Sequence, residues 1–167
     1  MTVYVIRHAH AMPGGSGAVR DIDRKLSPAG LLEAARLGRF LFMVDPAIGT
    51  VLTSPVLRAV ETAQEIARAL RPGLVAQATE NLAPGFRARA LRDEIGTHAH
   101  AGNVALVGHE PDMSLFLGDL CEAGHRPSVA FPPAAIAAVE LPGEDRTEAR
   151  VRWLLHPDLL ALLVPTP

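Results

Sequence analysis

Short apolar runs and longer amphipathic segments alternate along the chain. The first run, Val3–Ile6, is β-branched and aromatic, which is typical of a buried strand. Ser27-Pro28 then combines a helix N-cap residue with proline at the first helical position. Beyond it, apolar residues recur at helical spacing, at Leu31, Ala34, Leu37 and Leu41. The pattern predicts a strand, a polar loop and a helix that ends near Phe42.

Two further strand-turn-helix units follow the same pattern. Thr50–Thr53 predicts a strand, and Ser54-Pro55 repeats the N-cap and proline signal. The helix that this signal introduces carries apolar residues at Leu57, Val60, Ala67 and Leu70. Asn103–Val107 predicts another buried strand, followed by a helix over Met113–Glu122 with Asp112 as its N-cap.

The remaining elements carry weaker signals. Leu74–Ala78 predicts a short strand, and Arg87–Ala101 predicts a helix. Ala134–Leu141 and Arg150–Leu155 predict two strands, joined as a terminal hairpin by a turn at 142–145. Strands that alternate with helices indicate an α/β fold. We expect a three-layer α/β/α sandwich with a mostly parallel central sheet.

Length and composition agree with this architecture. The chain has 167 residues with no internal repeat or linker, so residues 1–167 are predicted to form a single domain. Hydrophobic residues make up 49% and charged residues 20%, which is a globular balance. The net charge of -2 and the lack of a basic run argue against a nucleic-acid partner and a polybasic membrane surface.

The cysteine content and the first residues bear on location. Cys121 is the only cysteine, which excludes an intramolecular disulfide and fits a reducing cytoplasm. Met1–Ile6 runs directly into Arg7-His8, which is not the pattern of a signal peptide. No apolar stretch is long enough to predict a membrane span. We expect a cytoplasmic protein.

Arginine dominates the cationic residues. Of the 16 lysines and arginines only Lys25 is a lysine, so 15 are arginine. Codon bias in a GC-rich genome accounts for most of this imbalance, and the abundance of alanine agrees with that interpretation. Arginine nevertheless offers a planar fork for oxyanions that lysine lacks.

Charged residues stand where three predicted strands end. Arg7-His8 closes the first strand, Arg58 lies in the helix after the second, and His109 follows Asn103–Val107. Ligands of open α/β sheets bind beyond the carboxyl ends of the strands. Two guanidiniums and a helix N-terminus in one place would bind the non-bridging oxygens of a phosphoryl group.

A histidine within such a pocket suggests covalent catalysis. Neutral imidazole attacks phosphorus, and a phosphohistidine intermediate divides the transfer into two steps. His8 is the predicted nucleophile because its place at a strand end is the most rigid, and His109 would donate a hydrogen bond to the phosphoryl oxygens.

The same residues carry a family resemblance. Val5–Ala11 resembles the Arg-His-Gly signature of the histidine phosphatase superfamily, also called phosphoglycerate mutase-like. Thr53–Ala63 is similar to its Ser-Pro-x-x-Arg-Ala-x-x-Thr-Ala motif, and Val107–Pro111 to the motif around its second histidine. With Leu26–Gly30 the motifs agree in order and spacing. Phe131–Leu141 adds a likeness to the short phosphohistidine phosphatases of the SixA type.

The resemblance implies roles for individual residues. It makes His8 the phosphorylated nucleophile, Arg7 and Arg58 the phosphate clamps and His109 the fourth member of the pocket. Ala9 stands where the family usually has glycine, and a residue this small still lets phosphate approach. Many relatives place a glutamate proton donor after the third strand.

The nearest candidate for that proton donor is Glu80, although no motif supports it. An alkoxide leaving group needs a proton in the transition state, whereas a protonated phosphohistidine expels neutral imidazole. A pocket poor in acids therefore favours a phosphohistidine on a protein over a small phosphorylated metabolite. The lack of the long insertions that cover the pocket in sugar-phosphate relatives points the same way.

Other residues suggest weaker alternatives. His10 could line the mouth of the pocket as a substrate-binding residue or proton shuttle, while Asp21, Asp23 and Arg24 could reach its rim. His8-x-His10 and His98-x-His100 are poor candidates for a metal site, and Gly14–Gly17 lacks the lysine of a P-loop. Arg87, Arg89 and Arg92 could recruit an acidic partner but more simply form a solvated helix face.

The sequence thus predicts a phosphatase that uses neither metal nor cofactor, with a phosphohistidine protein as the favoured substrate. Two alternatives remain open at this point. One is a small-molecule phosphomonoesterase, and the other is a catalytically weak module that binds phosphate or phosphoproteins.

Overall fold

A computed structural model describes residues 1–14, 20–85, 87–121, 129–142 and 148–165. Its strands are β1 (Thr2–Arg7), β2 (Ile48–Thr53), β3 (Gln77–Ala78), β4 (Asn103–Gly108), β5 (Ile136–Glu140) and β6 (Arg150–Leu155). Its α-helices are α1 (Pro28–Val44), α2 (Leu57–Leu70), α3 (Ala88–Thr97), α4 (Asp112–Leu120) and α5 (Pro157–Leu163). Short 3-10 helices cover Asp21–Asp23, Glu80–Leu82 and Ala99–Ala101.

The six strands of the described residues form one sheet in the order β3-β2-β4-β1-β5-β6. The pairs β3–β2, β2–β4 and β4–β1 are parallel, whereas β5 runs antiparallel to both β1 and β6. Arg7 pairs with Gly108, and Thr53 pairs with Val107. The carboxyl ends of β1, β2 and β4 therefore meet at one edge, and the predicted mostly parallel sheet is confirmed.

Two apolar cores cover the two faces of this sheet. On one face Ile6 of β1 packs with buried residues of α1, α2 and α5, among them Leu37, Ile66 and Leu160. On the other face Val5 packs with buried residues of α3 and α4, among them Leu91, Ile95, Phe116 and Leu120. Successive side chains of a strand point to opposite faces, so an uninterrupted apolar β1 supplies both cores. The expected three-layer α/β/α sandwich is confirmed.

The helix-start signals behave differently at the three predicted sites. Ser27 caps α1 as predicted, because its Oγ accepts the backbone N–H of Gly30 at 3.0 Å. Ser54 is not the N-cap of α2, which begins at Leu57 with Val56 in that position. The prediction that Asp112 is a cap is also wrong, since Asp112 is the first residue of α4 and its carboxylate accepts the Gly85 N–H.

Two other differences concern the ends of elements. The predicted helix Arg87–Ala101 is shorter, because α3 ends at Thr97 and a 3-10 turn continues the chain. Helix α5 was not predicted, although Pro157 and Asp158 in its first turn are a typical start signal. The predicted hairpin of β5 and β6 is confirmed. Residues 143–145 of the predicted turn at 142–145, Glu122 and residues 15–17 lie outside the described residues. No helix in the described ranges is long and apolar enough to cross a membrane.

Candidate active site

His8 is the first residue after β1 and is 9% exposed. Its Nδ1 lies 2.8 Å from the carbonyl oxygen of Ala9, and because a carbonyl only accepts, Nδ1 carries the proton. The lone pair of the ring is then on Nε2, which accepts a hydrogen bond from Arg58 Nε at 3.1 Å. The backbone around His8 is fixed by the N–H bond to the Gly108 carbonyl and by the bond from Ala134 N–H to the His8 carbonyl.

Burial keeps the His8 ring neutral. Desolvation lowers the pKa of His8, the hydrogen bond to Ala9 opposes that effect, and the charges of Arg58, Arg7 and Arg24 lower it further, to about 4. The imidazole is therefore unprotonated at neutral pH. An unprotonated Nε2 is the form that attacks phosphorus.

Arg58 lies in the first turn of α2 and is 8% exposed. While Nε donates to His8, Nη1 donates to the Asp21 carbonyl at 2.8 Å and Nη2 to Asp21 Oδ2 at 3.1 Å. The other carboxylate oxygen of Asp21 accepts from Arg24 Nη1 at 2.8 Å. Asp21 thus joins two guanidiniums beside the nucleophile, and both charges lower the pKa of its own carboxyl group.

Arg7 is the last residue of β1 and directly precedes His8. Its Nη1 donates to the Phe131 carbonyl at 2.9 Å, which connects β1 to the segment before β5. Burial lowers the pKa of Arg7, and the nearby carboxylate of Glu110 opposes that effect. An arginine remains charged under such conditions. Arg7 therefore places a second guanidinium at the edge where the strands meet.

His109 follows β4 and completes the group. Its ring centroid lies 5.0 Å from that of His8, and its Nε2 lies 2.8 Å from Ser54 Oγ. Burial, then the electrostatic interactions with His8 and Arg58, lower the pKa of His109 to about 3. Ser54, at the end of β2, thus orients a catalytic candidate, and its hydroxyl also accepts the Val56 N–H.

These side chains surround a cavity of about 280 Å³. The residues that line it are Arg7, His8, His10, Ala11, Arg24, Arg58, His109, Glu110 and Pro133. Five of the six predicted site residues are therefore brought together. Glu80 is exposed at the start of its 3-10 helix and is not among the lining residues.

The structure adds residues that the sequence analysis missed or left open. Glu110 lines the cavity, and its carboxylate accepts hydrogen bonds from the backbone N–H and the hydroxyl of Ser114. Arg24 also lines the cavity, whereas Asp23 forms an ion pair with Arg20 at 2.7 Å. The position of Glu110 directly after His109 was the available signal, because a residue two positions past the end of β4 can still reach the same edge.

The cationic character of the cavity matches an anionic ligand. Arg7, Arg24 and Arg58 line one small space with two neutral histidines, and arginine forks suit tetrahedral oxyanions. In the ranges that the structure describes, no group of three or more histidine, cysteine or acidic side chains is placed to hold a metal ion.

Comparison with known proteins decides the family. Residues 3–84 match the histidine phosphatase superfamily (branch 1). The uncharacterized protein ML1117 of Mycobacterium leprae is 31% identical over 183 aligned residues, which cover 96% of this chain and 99% of the relative. The chain belongs to the histidine phosphatase superfamily. It is accordingly a phosphatase, as predicted.

Relatives of the SixA type are similar over nearly the whole chain. The phosphohistidine phosphatase SixA of Escherichia coli strain K12 is 27% identical, and the alignment covers 94% of each protein. The structure of the protein histidine phosphatase SixA complexed with tungstate has a TM-score of 0.82 and 25% identity, covering 96% of this chain and 99% of the other. The predicted SixA-like, phosphoglycerate mutase-like fold of this superfamily member is confirmed.

Proposed function

We propose that the protein hydrolyses phosphoryl groups in two steps through a phosphohistidine at His8. The observation that carries this proposal is the neutral His8 ring, protonated on Nδ1, beside Arg58 and in one cavity with Arg7. Nε2 attacks phosphorus, and the guanidiniums bind the non-bridging oxygens as negative charge spreads over them. Water then attacks the phosphohistidine and releases phosphate.

The described side chains supply the chemistry that both steps need. Arg7 and Arg58 provide fixed positive charge in a partly desolvated cavity, where charge is worth more than in water. A neutral His109 has one ring N–H to donate, and Ser54 holds its Nε2. We therefore assign binding roles to Arg7, Arg58 and His109, and expect activity without an added metal or cofactor.

The favoured substrate is a phosphohistidine side chain on a protein. Similarity to SixA of Escherichia coli, which is named a phosphohistidine phosphatase, supports this choice. The cavity mouth supports it too, because the His10 side chain that lines it is 53% exposed, so a partner's side chain can approach. We place this reaction in the cytoplasm, where the free thiol of Cys121 would stay reduced.

A small phosphorylated metabolite is the second candidate substrate. The presence of Glu110 and His10 in the cavity favours it, since both side chains carry groups that exchange protons. A panel of phosphohistidine peptides and phosphorylated metabolites, compared by kcat/KM, separates the two candidates. A large preference for metabolites would overturn the protein substrate.

The covalent mechanism is tested with para-nitrophenyl phosphate in the presence of EDTA. We expect wild-type protein to release phosphate and His8→Ala to lose turnover while keeping its circular dichroism spectrum. The exposed His100 gives a matched control, and His100→Ala should retain full activity. Unchanged turnover in His8→Ala would refute the mechanism, and phosphate binding without turnover in the wild type would indicate the binding module instead.

A further inference from the structure

We propose that His10 and Glu33 form the proton-transfer pair of the cavity and that His10 protonates the leaving group. This inference rests on the proposed attack by His8. It extends the substrate class to monoesters of alcohols, whose alkoxide leaving groups require a proton. The sequence suggested His10 as a substrate-binding residue or proton shuttle at the mouth, and nothing in the sequence pointed to its partner on α1.

The His10 ring is held in one orientation by a single carboxylate. Nδ1 lies 2.7 Å from Glu33 Oε1 and 2.9 Å from Oε2, and Oε2 also accepts the His10 backbone N–H at 3.0 Å. Since a carboxylate only accepts, the Nδ1 proton points to Glu33. The nitrogen that remains for a ligand is Nε2, on a ring that lines the same cavity as His8.

The backbone of His10 is fixed as firmly as its ring. The His10 carbonyl accepts hydrogen bonds from the Ser27 N–H at 2.9 Å and from Ser27 Oγ at 3.2 Å. A Cβ on Gly30 would lie 1.9 Å from the same carbonyl oxygen, so the first turn of α1 approaches it as closely as glycine permits. Ser27 and Gly30 therefore seat His10 on α1, next to the Glu33 that binds its ring.

A carboxylate on one ring nitrogen is the arrangement that tunes a histidine for acid–base work. It fixes the tautomer and the ring orientation, and it leaves the other ring nitrogen for proton exchange with a substrate. The Glu33 side chain is 18% exposed, compared with 53% for His10, so the carboxylate is sheltered while the imidazole meets the solvent. The remaining titratable and charged groups that face the ring across the cavity are Arg7, His8, Arg24, Arg58, His109 and Glu110.

The two steps then balance without a further reactant. In the first, the bond from His8 Nε2 to phosphorus forms, the bond from phosphorus to the ester oxygen breaks, and that oxygen takes the Nε2 proton of His10. The alcohol leaves. In the second step, the oxygen of a water molecule attacks phosphorus while neutral His10 accepts a proton from that water. The bond from phosphorus to His8 Nε2 breaks, and phosphate departs.

Glu110 is the competing acid in the cavity. Its carboxylate accepts hydrogen bonds from the Ser114 N–H and hydroxyl, and these bonds hold it against the first turn of α4. Glu110→Gln therefore serves as the comparison variant.

The test compares two substrates that differ in leaving group. Para-nitrophenolate leaves readily without a proton, whereas an alkyl phosphate such as glycerol 3-phosphate does not. For His10→Gln we expect a loss in kcat/KM of about 100-fold on the alkyl ester, at the lower end of general acid catalysis, and little change on the aryl ester. Glu110→Gln should affect the two substrates equally.

Glu33→Gln tests the positioning role of the carboxylate. Glutamine can still accept the Nδ1 hydrogen bond but carries no negative charge. We expect kcat/KM on the alkyl ester to fall, with kcat/KM on the aryl ester unchanged. A purely structural Glu33 would lower both activities together.

Failure of this inference can be told from failure of the proposed function. If wild-type protein hydrolyses para-nitrophenyl phosphate and His8→Ala does not, the covalent mechanism stands whatever His10 does. An equal loss in kcat/KM on both esters in His10→Gln, a wild type inactive on alkyl esters, or a leaving-group dependence confined to Glu110→Gln would each overturn the role of His10.

Discussion

The buried, neutral histidines should make the stability of the protein depend on pH in a defined direction. The pKa of His8 is about 4 in the folded protein and 6.5 when exposed. Below pH 6.5 the unfolded chain therefore binds a proton that the folded site excludes. The contribution of His8 to the free energy of unfolding should therefore rise with pH between about 4 and 6.5 and stay level above pH 6.5.

The size of this contribution follows from the two pKa values. At about pH 5 most unfolded chains carry a proton on His8 and few folded ones do, which costs the folded state about 2 kcal/mol relative to neutral pH. His8→Gln removes the titrating group while keeping a polar side chain. The variant should therefore lose about 2 kcal/mol less stability than the wild type on acidification.

Urea unfolding followed by circular dichroism at the two pH values measures this difference. Other groups titrate in both proteins, so their contributions cancel when the wild type and the variant are compared. The exposed His100 supplies the control, and His100→Gln should keep the wild-type dependence. If wild type and His8→Gln lose the same free energy between the two pH values, His8 is not held neutral by burial.

The remaining predictions concern a guanidinium and a glycine. Arg58→Lys should reduce kcat/KM at least tenfold on para-nitrophenyl phosphate although charge is kept, because the Nε and Nη donors act on different partners. Arg89→Lys, on the exposed face of α3, is the control and should keep the wild-type kcat/KM. Equal activities of the two variants would show that charge alone suffices at Arg58. Gly30→Ala should destabilise the protein by about 1–3 kcal/mol, measured by urea unfolding, because its Cβ would meet the His10 carbonyl. Gly96→Ala meets no atom within 4 Å and should raise helix stability by up to about 1 kcal/mol, so similar effects of the two changes would contradict the close approach at Gly30.

The strands and most helices could be predicted because local pattern determines them. β1 is apolar on both faces. In α1 the apolar residues recur at helical spacing, so that Leu37 and Leu41 are both buried against the sheet. Parallel strands joined by helical crossovers then have their carboxyl ends at the same edge of the sheet. That topological rule was sufficient to bring Arg7, His8 and His109 together from distant parts of the chain.

Helix boundaries and polar contacts were harder to predict, because they depend on residues far apart in the chain. Ser54 precedes proline, as a capping residue should, yet its hydroxyl contacts His109, which lies 55 residues further along the chain. The pair of His10 and Glu33 spans 23 residues, and that of Asp21 and Arg58 spans 37. No periodicity marks such pairs, because they depend on how a loop folds back over the sheet edge.

The contact between Asp21 and Arg58 turns anion binding into an exchange. An incoming phosphoryl group that uses the N–H donors of Arg58 now bonded to Asp21 competes with oxygen atoms that already belong to the chain. The net affinity is then the difference between two charge-assisted interactions and is smaller than either. The same exchange operates in reverse after hydrolysis, when Asp21 competes with the departing phosphate. We therefore expect such a site to release phosphate more readily than one in which the same guanidinium has no partner in the chain.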